Sequence, residues 1–85
     1  MKHGTGKTEW RDGNMYDGQF WKNSIEGRGI MTYSNGKEYD GEWRDGRMEG
    51  RGVFRWPNRT FYDGNFANNH RHGFGRLELP DGRVF

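Results

Sequence analysis

A 23-residue internal repeat constrains this chain more than any other feature of its sequence. The tripeptide Tyr-Asp-Gly begins at Tyr16, Tyr39 and Tyr62, and an aromatic residue stands two positions after each of these glycines. All 15 glycines of the chain fall in only five positions of the repeat. Such phase-locking indicates a repeat architecture in which each repeat is one small structural unit. The predicted divisions are a partial repeat 1–15, repeats 16–38 and 39–61, and a segment 62–85 that includes the start of the next repeat.

Within each repeat the residue pattern has a period of two, which predicts β-strands. From Tyr39 to Trp43, aromatic and glycine positions alternate with carboxylates, so that rings and charges are expected on opposite faces. The second half of each repeat carries a Gly-x-Gly motif with the same alternation, as in Gly50–Gly52. Each repeat is therefore predicted to be one β-hairpin. Hairpins laid side by side give an all-β fold, an elongated single-layer antiparallel meander with an unpaired strand at each end.

The turns follow from the requirement that facing residues share one side of the sheet. A three-residue loop with a left-handed glycine fits Ser34-Asn35-Gly36. The predicted facing pairs are Met31 with Tyr39, Gly29 with Gly41, and Gly27 with Trp43. Arg59 replaces the turn glycine in one repeat, so this turn is expected to be strained or differently built.

The second kind of connection has an even number of residues, and we expect four of them, Asp45 to Met48. That length pairs Arg44 with Glu49 across the two strands. Asn23 and Asn69 stand where this repeat has Gly46, which is consistent with a left-handed backbone at that position.

The composition predicts a core built from aromatic rather than aliphatic side chains. Only 29% of the residues are hydrophobic, yet four Trp, four Tyr and six Phe supply a large apolar area. The net charge of +2 comes from interspersed signs, which disfavours a nucleic-acid partner. No apolar stretch approaches the roughly 20 residues of a transmembrane segment. Because no signal-peptide pattern is found and cysteine is absent, we expect a cytoplasmic location.

The motif Tyr-Asp-Gly-Glu-Trp, followed after six residues by Gly-Arg-Gly, resembles the MORN repeat (membrane occupation and recognition nexus). His3 and His72 match the frequent His-Gly-x-Gly of that family, while Glu26 and Glu49 depart from it. The resemblance implies an elongated β-meander of the kind used in cytoskeletal, ciliary and membrane-junction scaffolds. It also implies occurrence beside enzyme domains such as lipid kinases and methyltransferases, and lipid binding is often proposed for the family.

The aromatic residues are expected to form the core, and their exposed side is the candidate contact surface. A single layer leaves rings partly open, and contiguous exposed apolar area tends to mark a binding site. The expected occupant is a partner helix, a partner peptide or a second copy of the chain. The candidate contact residues are Phe20, Tyr33, Tyr39, Trp43, Trp56, Tyr62 and Phe66, with Arg51 and Arg55 adding polar specificity from the opposite face.

Catalytic, metal and cofactor sites are not predicted. The carboxylates Asp17, Asp40 and Asp63 recur once per repeat, so they are interpreted as a solvated stripe with cross-strand Arg and Lys partners. His70 and His72 lack a third metal ligand of suitable type nearby. The segment from Gly4 to Thr8 resembles a phosphate-binding loop only superficially, because its first glycine is misplaced.

Two alternative functions remain open at this stage. Basic side chains along the repeats could attract the anionic headgroups of phospholipids, although interleaved acidic residues weaken their field. The second alternative is a sugar- or choline-binding cell-wall repeat, which the missing signal peptide disfavours. The basic residues in question are Lys7, Arg11, Lys22, Arg28, Arg51, Arg55, Arg59, Arg71 and Arg76.

Overall fold

The computed structural model describes residues 4–84, and these form one antiparallel sheet of seven strands in sequence order. The predicted all-β meander is thus confirmed, with dimensions of 44 × 26 × 16 Å. His3, which matches the family motif, lies outside the described residues, and so does Phe85, the last residue of the predicted segment 62–85. The strands are β1 (Gly4–Glu9), β2 (Met15–Trp21), β3 (Ser24–Thr32), β4 (Glu38–Arg44), β5 (Arg47–Arg55), β6 (Phe61–Ala67) and β7 (His70–Glu78).

In each repeat a tyrosine ring lies flat on the backbone of two neighbouring strands, and both strands have glycine beneath the ring. The Tyr39 hydroxyl donates a hydrogen bond to the carbonyl of Glu42 (2.9 Å), so the ring passes over Gly41 in its own strand. A Cβ atom added to Gly52, which faces Gly41 from β5, would collide with that ring. Tyr16 and Tyr62 lie on Gly29 and Gly75 in the same way. The repeated glycines therefore provide the space that the tyrosine ring occupies.

Six rings form a continuous column along the sheet, which we call the ring column. Neighbouring rings meet edge to face at centroid distances from 4.9 to 5.8 Å, the geometry that aromatic quadrupoles favour. Each such pair contributes about 0.5–1.5 kcal/mol beyond the area that it buries. The column links the repeats 16–38, 39–61 and 62–85 to one another, and together with the buried Met31 and Met48 it forms the core of the molecule. In contact order, the ring column consists of Phe20, Tyr16, Trp43, Tyr39, Phe66 and Tyr62.

The three-residue turn is confirmed at Ser34-Asn35-Gly36. Tyr33 donates its N–H to Lys37 (2.8 Å), and Gly36 donates to Tyr33 (2.9 Å) with φ of 92°. The three predicted facing pairs between β3 and β4 are also present. Arg59 keeps the same turn with φ of 76°, so the turn is built as in the other repeats and the arginine adopts the strained backbone.

The expected four-residue turn is wrong, because the loop contains only Asp45 and Gly46. Arg44 pairs with Arg47 rather than with Glu49. Both loop residues have positive φ (52° and 78°), as do the Lys-Asn and Asn-Asn pairs at the equivalent positions, which is the signature of a type I′ turn. This turn is preferred because its twist matches the twist of the flanking strands. The predicted left-handed backbone at Asn23 and Asn69 is confirmed.

The loop is two residues shorter than expected, and β5 accommodates these two residues in a bulge. Three residues there, from Glu49 to Arg51, face the single residue Glu42 of β4. The Glu42 carboxylate accepts a hydrogen bond from the backbone N–H of Arg51, and Gln19 does the same for Arg28 (2.7 Å). The side chain at this repeat position therefore provides a hydrogen-bond acceptor for a backbone N–H group in the bulge.

Replacing Gly52 with alanine is expected to destabilise the protein by about 2–3 kcal/mol, because the new methyl group overlaps the Tyr39 ring. The matched control is Gly6→Ala, at the same repeat position in β1. There the nearest atom to an added Cβ is 3.8 Å away, and we expect a change of less than about 0.5 kcal/mol. Guanidinium chloride unfolding of both variants measures the difference. Equal losses would contradict the steric role of the glycine.

Replacing Arg59 with glycine is expected to stabilise the protein by about 0.5–1 kcal/mol, because it removes the left-handed strain on a residue with a Cβ atom. The reciprocal variant is Gly82→Ala, at the same turn position with φ of 89° and no atom near an added Cβ. It should lose about 1 kcal/mol, measured by thermal unfolding. A loss on Arg59→Gly would show that the arginine side chain itself stabilises the turn.

Candidate functional site

Most of the predicted contact residues belong to the core. Within the ring column, Tyr39 is completely buried (0% exposed), and Trp43, Tyr62, Phe66 and Phe20 are also buried. The Trp43 Nε1 donates a hydrogen bond to the carbonyl of Gly29 (3.1 Å), so its polar atom is satisfied inside the chain. These five residues hold the repeats together, and their role as contact residues stays a prediction.

A second group of rings, less buried than the ring column, lies at and near the three-residue turns. Tyr33, Phe54 and Trp56 are half-buried and lie on the same face as the ring column. Tyr33 stacks on Phe54 at a centroid distance of 6.1 Å, and Phe54 contacts Trp56 at 4.8 Å. We call these three residues the aromatic ledge. Tyr33 and Trp56 were predicted as contact residues and Phe54 was not, although its position opposite Tyr39 in the hairpin register could have indicated it.

A hollow of about 200 Å³ lies beside the ledge. Its apolar part is formed by Trp56 and Phe54 with Met48 and Phe66, and its polar rim lies near the turn between β6 and β7. The Arg71 guanidinium on this rim is 5.6 Å from the centre of the Tyr62 ring. The rim residues are Asn69, His70 and Arg71. The hollow thus combines an apolar wall with a rim that carries the Arg71 guanidinium.

The opposite face of the sheet, which we call the charged face, carries the two predicted arginines. Arg51 contacts Asp63 (3.0 Å) and Arg55 contacts Glu38 (3.1 Å), and all four side chains are partly or largely exposed. Lys7 lies 4.0 Å from Asp17 in the first repeat. The expected cross-strand cations are therefore present for two of the three aspartates of the stripe. Such exposed pairs contribute at most about 1 kcal/mol each.

A larger hollow, of about 430 Å³, lies on the charged face next to β1. Met15 and Ile30 are exposed in it (46% and 38%), but charged and hydroxyl side chains make up much of its wall. We favour the smaller hollow as the site because its lining is richer in aromatic rings, which carry most of the binding energy in protein interfaces. The wall of the larger hollow consists of Lys7, Thr8, Glu9, Met15, Tyr16, Asp17, Ile30 and Thr32.

The hydroxyls of Tyr16 and Tyr39 in the core are unusually hard to ionise, because their pKa values are raised. Burial raises the pKa of Tyr16 to about 12, with a smaller lowering effect from the hydrogen bond to Gln19 and a small rise from Asp17. Burial also raises the pKa of Tyr39, and its neighbour Glu42 adds to that rise. The hydroxyls therefore act as structural hydrogen-bond donors at neutral pH. Between residues 4 and 84 there is no group of three or more residues able to hold a metal ion.

The model of the MORN repeat family matches the chain in four consecutive segments, 1–15, 16–38, 39–61 and 62–82. The chain belongs to the MORN repeat family. MORN repeats are generally non-enzymatic units, and they suggest a module that binds proteins or membranes. A search of curated proteins found no match to this chain. The described part of this MORN chain contains no helix long and apolar enough to span a membrane.

Alkaline pH is expected to unfold this MORN module through its tyrosines. A phenol whose pKa is raised on folding stabilises the folded state fully below pH 10, and the contribution is lost as the pH rises through the raised value. For Tyr16 the window runs from pH 10 to about 12. The free energy of unfolding should fall there by up to about 1.4 kcal/mol per pH unit for Tyr16, and Tyr39, whose pKa is also raised, should add to the loss.

Absorbance near 295 nm, followed together with circular dichroism, checks this expectation. Tyrosinate from Tyr16 and Tyr39 should form together with unfolding, whereas the chain in denaturant should titrate near pH 10 throughout. The variant Tyr16→Phe should lose less stability than the wild type over the same pH range. Full ionisation near pH 10 in a folded chain would contradict the burial of these hydroxyls.

Proposed function

We propose that this MORN chain is a non-catalytic scaffold or adaptor module that binds a protein partner through the aromatic ledge. The observation that supports this most directly is the half-buried group of contacting rings Tyr33, Phe54 and Trp56 beside an apolar hollow. Tryptophan and tyrosine are the side chains that most often dominate binding energy at protein interfaces. The ring column beneath the ledge fixes its position, so little side-chain freedom is lost on binding.

The chemistry of the hollow indicates what the partner presents. A leucine-sized or aromatic side chain of the partner would pack against Trp56 and Phe66, where the hollow is apolar. An acidic residue next to it would face Arg71, which is exposed at the rim. A helix or an extended peptide can both present this combination of one apolar anchor and one carboxylate.

The ion pairs on the charged face favour a protein partner over an anionic membrane. Arg51 and Arg55, which lead the alternative lipid-binding hypothesis, already contact Asp63 and Glu38. A headgroup would have to compete with these carboxylates, and the surrounding acidic residues weaken the attraction further. The experiment therefore has to distinguish binding of a protein partner from binding of lipid.

Affinity capture with wild type and Trp56→Ala, followed by quantitative mass spectrometry, tests the proposal. Loss of a central aromatic anchor costs 2 kcal/mol or more, so capture of the partner should drop by about 30-fold. The matched control is Trp21→Ala, which removes a tryptophan of the charged face that is 56% exposed. It should retain the partner, and circular dichroism should show that both variants are folded.

Vesicles that contain phosphatidylinositol bisphosphate provide the opposing arm, and light scattering reports the mass of the chain alone. The proposal is wrong if the chain captures no protein but binds these vesicles, and if Arg51→Glu with Arg55→Glu abolishes that binding. It is also wrong if Trp56→Ala and Trp21→Ala capture equally. A Trp56-dependent dimer in light scattering would identify the partner as a second copy of the chain.

A further inference from the structure

The turn between β3 and β4 contains Asn35 followed by Gly36, which is the one Asn-Gly pair in the sequence. Ser34, Asn35 and Gly36 are all exposed. The backbone nitrogen of the glycine is a nucleophile placed next to the carbonyl carbon of the asparagine side chain. Glycine has no Cβ atom that would hinder the approach of this nitrogen. The turn therefore holds both partners of an intramolecular reaction close together.

Two hydrogen bonds of this turn act on the reaction in opposite directions. The backbone N–H of Lys37 donates to the side-chain Oδ1 of Asn35 (3.1 Å). This oxygen becomes negatively charged when a nitrogen adds to Cγ, and a donor in contact with it stabilises that charge. The N–H of Gly36 donates to the carbonyl of Tyr33 (2.9 Å), so this bond has to open before the nitrogen attacks. Exposed turns open locally at little cost in free energy, so the second bond slows the reaction without preventing it.

The next repeat contains a matched position at Asn58. Its Oδ1 accepts a hydrogen bond from the backbone N–H of Thr60 (3.0 Å), as Asn35 does from its own turn. Arg59 has positive φ and keeps the backbone hydrogen bond of the turn, as Gly36 does. The attacking residue of this second turn differs in carrying a Cβ atom, which crowds the path of its nitrogen. Asn58 is therefore expected to react much more slowly than Asn35.

Aspartate, the product of such a reaction, is already accepted at this position of the turn. Asp12 and Asp81 occupy it in the turn between β1 and β2 and in the turn after β7. Their carboxylates accept the backbone N–H groups of Asn14 (3.0 Å) and Arg83 (3.0 Å). A carboxylate at Asn35 would keep the same acceptor in place. The conversion therefore changes the charge of the turn and preserves the hydrogen bond that holds it.

We propose that Asn35 is a site of spontaneous deamidation, at which the folded chain converts this amide into a carboxylate without an enzyme. The Gly36 nitrogen bonds to Cγ of Asn35 and the Cγ–Nδ2 bond breaks, so ammonia leaves with the proton that Gly36 gives up. Water then opens the cyclic imide at Cγ. Its hydroxyl stays on Cγ, and its other hydrogen returns to the Gly36 nitrogen. The product lowers the formal net charge of +2 by one and places a carboxylate in the turn that follows Tyr33 of the aromatic ledge.

Opening of the imide at its other carbonyl gives isoaspartate, which the turn does not accept. Water then adds to the backbone carbonyl carbon of Asn35, and the chain stays linked through Cγ with one more carbon in its backbone. The extra atom falls between Tyr33 and Lys37, whose hydrogen bond closes the turn (2.8 Å). The variant Asn35→Asp should therefore have the thermal midpoint of the wild type, and the purified isoaspartate form should melt lower. A lower midpoint for Asn35→Asp would contradict the acceptance of the product.

Incubation of the full chain at mildly alkaline pH, followed by tryptic digestion and mass spectrometry, measures the conversion. Asn35 is read from the peptide 29–37 and Asn58 from the peptide 56–59. Asn35 should convert at least about tenfold faster than Asn58, because the Cβ atom raises the barrier at the second site. Incubation in water enriched in heavy oxygen should place one solvent oxygen on the product. The synthetic peptide 29–37 is the reference, and the folded chain should react no more than about tenfold more slowly than it.

The variant Arg59→Gly makes the test reciprocal, because it creates a second Asn-Gly pair in a turn with the same hydrogen bonds. Asn58, now read from the peptide 56–71, should convert about as fast as Asn35, and the rate at Asn35 should not change. Three results would each overturn the inference. They are an intact Asn35 in the folded chain after the synthetic peptide has reacted, equal rates at the two sites in the wild type, and no acceleration at Asn58 in the variant. None of these measurements depends on the partner of the aromatic ledge.

Discussion

The whole molecule depends on the contact between a tyrosine ring and the glycines that lie beneath it. A single sheet has no second layer to cover its apolar face, so its rings have to be buried by the sheet itself and by one another. Glycine at two facing positions, such as Gly41 and Gly52, lets the Tyr39 ring lie on the backbone and reach the Glu42 carbonyl. That geometry leaves the ring edges and faces free to meet the rings of the neighbouring repeats. A chain with 29% hydrophobic residues can therefore form a core, because few but large side chains supply it.

This construction separates the residues that hold the fold from those that a partner can touch. The rings of the ring column are buried in contacts between repeats, and Tyr39, at its centre, has no exposed surface. At the margin of the same face, Tyr33, Phe54 and Trp56 are only half-buried. The charged face is occupied by exposed cross-strand ion pairs, which suit solubility better than tight binding. In a MORN chain of this kind, the positions that vary between repeats are more informative about binding than the positions that recur.

The last repeat illustrates this point. Phe74 and Arg76 occupy positions that hold arginine and aliphatic residues in the two preceding repeats, and both lie on an edge strand. The substitutions change the exposed side chains without changing the backbone, since Gly64 and Gly75 keep the same register as their counterparts. A repeat architecture can thus hold one fold and change its surface one position at a time.

The sequence by itself determined the repeat length, the hairpins, the three-residue turns with their register, and the burial of rings on one face. These follow from local rules, because side chains alternate along a strand and a glycine turn position fixes the loop parity. Only the tertiary structure decided the two-residue turn at Asp45-Gly46, since a bulge farther along β5 compensates for the shorter loop and parity alone cannot reveal it. It also decided that Trp43 and Phe66 are core whereas Trp56 is accessible. Alternation assigns a residue to a face, but whether that residue is covered depends on the rings that neighbouring repeats place over it.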